Sequence, residues 1–82
     1  MKNNNLDVHN LSLEDAIKVI NHNIDLSYNM GISVLYVNHG FNNGTKIKTW
    51  CKEKAILHQH VVKVDSGDNE GISKIYIKIK IN

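Results

Sequence analysis

Proline and arginine are absent from this chain, and cysteine occurs once, as Cys51. A single thiol excludes an internal disulfide framework and fits a reducing, cytoplasmic setting. With five histidines and one cysteine, no zinc-finger spacing exists. No apolar run approaches the roughly 18 residues that a membrane helix requires, so no membrane partner is expected. The opening Met1-Lys2-Asn3-Asn4-Asn5 has no apolar h-region and is not a secretory signal. Residues 1–5 read as a disordered polar tail and residues 6–82 as one domain. Met1 with this short polar start leans towards a complete gene product. Because arginine is missing, all ten basic residues are lysine, and the planar fork that reads guanine bidentately is unavailable to this chain. The net charge of +2 permits a nucleic-acid partner without demanding one. Contact with such a partner is expected to go through phosphates and shape.

What is present fits a small globular domain. The chain has 82 residues, of which 41% are hydrophobic and 22% charged, too few residues for two cores and ordinary in composition. Leu6-Asp7-Val8-His9 alternates as a strand does, so Leu6 and Val8 are predicted to face the core and Asp7 and His9 the other side. Ser12 with Asp15 three residues on resembles a capping box, and Leu13, Ile17, Ile20 and Ile24, supported by Ala16, mark one face of a helix. Gly31 is predicted to close that helix in the left-handed conformation. Ile32 to Val37 is nearly all apolar and β-branched, the pattern of a buried parallel strand. A second helix is predicted from Thr45, with Ile47, Trp50, Cys51 and Ala55 on its apolar side. His60 to Val64 reads as a third strand, Asp65 to Gly71 as a polar turn, and Ser73 to Ile81 as a fourth strand.

The fourth strand carries the clearest period. Ile75, Ile77, Ile79 and Ile81 alternate with Lys74, Tyr76, Lys78 and Lys80, which implies one buried and one wet sheet face. The order βαβαββ needs two crossovers, which are right-handed almost without exception. A wet sheet face then places both helices on the other side. The expected architecture is a two-layer α/β sandwich with a mixed four-stranded sheet.

Two strand-to-helix loops are the places for chemistry. His9 to Ser12 follows the first strand, and Asn38-His39-Gly40-Phe41-Asn42-Asn43-Gly44 follows the second. If the two strands are parallel, both loops sit at carboxyl ends, where open α/β sheets bind ligands. The second loop is rich in glycine and asparagine and leads into a helix start, where free amides and the helix dipole attract phosphate. Lys46 and Lys48 lie in that first turn against the dipole, a conflict that a bound phosphate resolves.

These residues carry a resemblance. Leu6-Asp7-Val8-His9, the Ser12-Leu13-Glu14-Asp15-Ala16 helix start, His39-Gly40 with Gly44, and Asn69-Glu70-Gly71 before a final strand resemble the Smr (small MutS-related) domain in order and spacing, from about Leu6 to Ile81. The resemblance implies a fold like the C-terminal domain of bacterial translation initiation factor 3. It further implies endonuclease activity in some members, and nucleic-acid or ribosome binding alone in others. The family's Asp-x-His motif falls on Asp7 and His9, and its His-Gly-x-Gly-x-Gly loop on His39, Gly40 and Gly44. Asn10 and Asn42 replace family glycines. Asparagine is the best non-glycine occupant of the left-handed region, and what Asn42 puts in question is close backbone approach to a phosphate.

On this resemblance the catalytic candidates are Asp7, His9 and His39. His9 acts as general base or acid oriented by Asp7, since histidine's ordinary pKa near 6.5 suits both tasks. His39 and the loop around Gly40, Asn42, Asn43, Gly44, Lys46 and Lys48 hold the phosphate. With RNA the 2′-OH is the nucleophile, so neither metal nor cofactor is required. A lone Asp7 makes a poor magnesium site for DNA hydrolysis. RNA is therefore favoured over DNA, with a non-catalytic nucleic-acid- or ribosome-binding module as the alternative.

Plainer readings stand beside these. Asp7, His9 and His39 could brace their own loops. His58 and His60, near the second helix end, fit surface positions or partners of the helix C-terminal dipole, His22 an exposed mid-helix position, and Cys51 a small buried residue. Lys74, Lys78 and Lys80 with Tyr76 fit either an RNA platform or the protective lysines of an edge strand.

Overall fold

The computed structural model describes residues 3–41 and 45–81. Its elements run β1 (Asn3–Asp7), α1 (Leu13–Met30), β2 (Val34–Asn38), α2 (Thr45–Glu53), a 3-10 turn (Ala55–Leu57), β3 (Val61–Ser66) and β4 (Ile72–Ile77). The sheet order is β1-β2-β4-β3, with β1 parallel to β2 and β4 antiparallel to both its neighbours. This is the mixed four-stranded sheet of the expected two-layer sandwich. One cluster joins Ala16, Ile20 and Ile24 of α1, Ile47 and Cys51 of α2, and Leu35, Val37, Ile75 and Ile77 of the sheet. Both helices thus cover the face that carries Leu35 and Ile75, and the alternate residues Tyr36, Lys74 and Tyr76 stay outside the cluster.

Helix α1 starts and stops where local chemistry dictates. Ser12 Oγ accepts the Asp15 N–H at 3.1 Å, and Gly31 adopts φ 74° to let the amide of Ile32 reach back to Ser27 O at 2.9 Å. Leu13 and Ile17 lie at the margin of the buried stripe, half exposed. Helix α2 buries Ile47 and Cys51, and burial pushes the Cys51 thiol up to about 12, so it behaves as a small apolar group.

Three expectations need correction. Residues 3–5, read as part of a polar tail, form the start of β1: Asn3, Asn4 and Asn5 pair with Val34, Leu35 and Tyr36. An edge strand bonds through its backbone on one side only, so polar side chains do not prevent pairing. The fourth strand, read as reaching Ile81, ends at Ile77, and Ile79 and Ile81 are 81% and 87% exposed. The alternation continues in the sequence, but β2 begins at Val34 and β3 at Val61, so no described strand lies alongside residues 79–81. Finally, β4 is a central strand between β2 and β3, so its lysines do not protect an edge.

Candidate functional site

The parallel pairing of β1 with β2 ends at Asp7 opposite Asn38, so both chains leave the sheet at the same level. The Val8 amide extends the ladder by donating to Asn38 O at 2.9 Å, and the fully buried Val8 side chain pins the exit. Asp7 and His9 then project to the surface, with side chains 57% and 46% exposed. Asp7 Oδ1 accepts the His9 backbone N–H at 3.1 Å and also meets His9 Nδ1. An ionised carboxylate only accepts, so Nδ1 carries the proton and Nε2 is left as the outward-facing nitrogen. The side-chain hydrogen bond from His9, followed by the backbone one, holds the Asp7 carboxyl below its ordinary value.

The second loop closes on the first. Gly40 has φ 77°, and a Cβ built there would stand 3.3 Å from His9 Cβ, so the glycine permits both the turn and the close approach. The convergence expected from parallel strand ends is therefore present. The amides of His39 and Gly40, however, are engaged. His39 N and Gly40 N donate to Gly71 O at 2.9 and 3.1 Å, and Gly40 N also reaches Asn38 Oδ1 at 3.2 Å. Gly40 serves the site by its shape, and the expectation that its N–H faces a phosphate is corrected by these bonds.

His39 is also placed differently from expectation. Its ring is 1% exposed, with Nε2 at 2.9 Å from Ser73 Oγ and Nδ1 at 3.1 Å from Gly40 O. The carbonyl requires a donor, so Nδ1 carries the proton and Nε2 accepts the serine hydroxyl. Burial lowers the pKa of His39, outweighing the Gly40 bond that raises it, and Lys48 lowers it further. An enclosed imidazole with both nitrogens engaged has none free for a substrate phosphate. Strand alternation sends residue 39 inward because Val37 faces inward.

Of the remaining candidates, Asn42, Asn43 and Gly44 lie outside the described residues. Lys48 borders the same cleft as Gly40, Phe41, Thr45 and Glu70, about 120 Å³ in volume. Lys46 instead lines a separate groove between the two helices, with Leu13 and Trp50. Phe41, 66% exposed, and Glu70 stood within the sequence motifs but were not named as site residues; an aromatic inside a loop of glycine and asparagine was the available signal for the first. Asn10 keeps a negative φ, since no described non-glycine residue has a positive one, so the family glycine's freedom is not used there.

A second histidine cluster lies away from this site. His58 Nε2 stands 3.3 Å and His60 Nε2 3.9 Å from Asp25 Oδ1, and the His60 ring stacks on Tyr28 with centroids 3.7 Å apart. His58 Nδ1 accepts the His60 N–H at 3.1 Å, which places the proton on Nε2, facing Asp25 as a donor. These histidines are thus partly buried ties between α1 and the approach to β3, where the sequence suggested surface residues or helix-dipole partners. Among the described residues no group of three or more His, Cys, Asp or Glu side chains is arranged to hold a metal ion.

Comparison with solved structures decides the fold. The chain superposes on the crystal structure of the Smr domain of Thermus thermophilus MutS2 with a TM-score of 0.79 at 16% identity, covering 95% of this chain and 99% of that one. The fold is that of an Smr domain. The likeness spans both domains almost end to end, so the Asp7-His9 and His39-Gly40 loops belong to an Smr fold rather than to a fragment of one. At this identity the likeness concerns the fold and carries no activity. No family model matches the chain, and no curated protein sequence matches it. No helix among the described residues is long and apolar enough to cross a membrane.

Proposed function

We propose that this chain is a nucleic-acid endonuclease of the Smr fold that acts on RNA, with His9 as its acid–base group. The observation that carries the reading is the Asp7–His9 pair: an exposed imidazole, fixed in one tautomer by a carboxylate, set against the Gly40 backbone. Such a pair presents a single nitrogen, Nε2, to a substrate for proton transfer. In the proposed reaction the RNA 2′-OH attacks the adjacent phosphorus and the bond to the leaving 5′ oxygen breaks. A 2′,3′-cyclic phosphate and a 5′-OH result. His9 Nε2 handles one of the two protons, and water handles the other, since His39 is withdrawn into the core. Lys48, on the cleft beside Gly40, supplies positive charge for the phosphate.

The second reading is a module that binds nucleic acid or a ribosome without cleaving it. Burial of His39 and the engaged amides of His39 and Gly40 favour it, because they remove a second imidazole and two oxyanion donors. One experiment separates the two. Purified protein and its His9→Ala and Asp7→Asn variants are incubated with end-labelled RNA and DNA. The catalytic reading expects RNA cleavage that His9→Ala lowers by about 100- to 10,000-fold. Cleavage indifferent to both substitutions sinks it, and salt-sensitive binding with no cleavage supports the second reading.

A further inference from the structure

The sheet face opposite the helices carries residues that the Asp7–His9 pair does not use. Register places its residues in three cross-strand rows. Asn3, Val34, Tyr76 and Lys63 form one, Asn5, Tyr36, Lys74 and Asp65 the next, and Asp7, Asn38 and Ile72 the last. Tyr36 and Tyr76 therefore sit diagonally on the two central strands, a separation of about 7–8 Å between Cα atoms. Lys63 Nζ lies 4.7 Å from the Tyr76 ring centroid, and Lys74 Nζ lies 5.8 Å from that of Tyr36. Asp65, 3.2 Å from Lys63, is the one carboxylate in the first two rows, leaving that surface net positive.

This face is continuous with the candidate site. A groove of about 220 Å³ lies across the ends of β1, β2 and β4, bordered by Asn5, Asp7, Tyr36, Asn38 and Ile72. Tyr36 and Asp7 thus stand on the rim of one depression. Its volume is below the roughly 300–1,000 Å³ of a small-molecule site, which suits one flat ring better than a whole ligand.

Resting on the reading of the Asp7–His9 pair given above, we infer that the open sheet face is a platform for an unpaired RNA strand, on which Tyr36 and Tyr76 stack successive bases and from which the chain passes along the groove to His9. Two half-buried aromatic rings on central strands, outside the core cluster, offer what base stacking needs, and stacking is indifferent to base identity. The absence of arginine agrees with such sequence-tolerant binding. In the free protein the lysine ammoniums cap the rings. A stacking base displaces them sideways, where they meet the phosphates that flank it. A duplex offers no base faces and gains nothing from the tyrosines.

The test measures binding of the full chain to fluorescent single-stranded RNA and to duplex RNA of the same length. Tyr76→Ala is expected to weaken single-strand binding by about 5- to 100-fold and to leave duplex binding unchanged, whereas Tyr76→Phe retains binding. Lys74→Gln is expected to make binding less sensitive to salt. A photoactivatable base in the single strand is expected to crosslink wild-type protein within residues 34–38 or 72–77, a readout independent of how Tyr76→Ala folds. Crosslinks confined elsewhere, or single-strand binding indifferent to Tyr76→Ala, overturn the platform. So does self-association that buries this face and disappears in Tyr76→Ala. Scoring cleavage on the same strands keeps the two ideas apart. Tyr76-dependent binding without cleavage leaves the platform standing and defeats catalysis, and His9-dependent cleavage with Tyr76-independent binding does the reverse.

Discussion

His39 and Ser73, 34 residues apart in sequence, meet inside the protein with Nε2 and Oγ 2.9 Å apart, joining the exit of β2 to β4 directly beneath the loop that carries Gly40. Every polar atom of this imidazole is spoken for, so the residue holds the Gly40 loop in place from below while His9 faces solvent. Removing the serine hydroxyl leaves a buried ring nitrogen without a donor. Ser73→Ala is expected to destabilise the domain by about 1–3 kcal/mol, read as a lower midpoint in urea. A midpoint equal to wild type would show that the pair contributes nothing.

The same pair gives stability a pH dependence. His39 has its pKa lowered by burial in the folded protein, so the unfolded chain binds the proton more readily. The sign follows: the contribution is complete above the ordinary value of 6.5 and is lost as pH falls from there towards the depressed folded value. Urea midpoints taken from pH 8 down to pH 5 should decline, and His39→Asn should flatten the decline. An undiminished decline in that variant would assign the effect elsewhere.

Asp7 responds in the opposite range. Its carboxyl is held below 3.8 chiefly by the His9 side chain, so its ionised form persists through mild acid and is lost only as pH falls through the folded value. The carboxyl carbon of Asp7, followed by NMR, should titrate below the ordinary value, and His9→Ala should move that midpoint upward. An unmoved midpoint would break the link between the two side chains.

Gly40 is a backbone position with little freedom to change. At φ 77°, with His9 Cβ 3.3 Å from a built Cβ, alanine meets both the left-handed penalty and a tight neighbour. Gly40→Ala is expected to cost about 1–2 kcal/mol, roughly 4–16 °C in Tm for a domain of this size, and to disturb His9. Calorimetry with an unchanged Tm would contradict this.

Ser27 offers a change in the other direction. Its hydroxyl is buried in α1 and finds no hydrogen-bond partner among the described residues. Alanine removes an unsatisfied polar group and is the better helix former, so Ser27→Ala is expected to raise stability by about 1 kcal/mol. A fall in Tm would point to a partner for that hydroxyl.

Much of the molecule was legible in residue order because its causes are local. Ser12 and Gly31 end α1 through their own side chain and backbone, and period-two and period-3.6 patterns picked out Ala16, Ile20, Ile24, Ile75 and Ile77 as core. Asp7 ends β1 and His9 lies two residues on in the turn, so their meeting is local: Asp7 Oδ1 accepts the His9 N–H at 3.1 Å. Parallel pairing of β1 and β2 then made the meeting with Gly40 predictable. Only the tertiary structure decided the rest. Whether Ile79 and Ile81 are buried depends on where neighbouring strands begin, which alternation does not encode. That the inward-facing His39 meets Ser73 depends on a strand far along the chain. Whether Tyr36 and Tyr76 stand side by side depends on β4 being central. Each is a question of which distant segment lies alongside, and that is set by the packing of both helices on one side of the sheet.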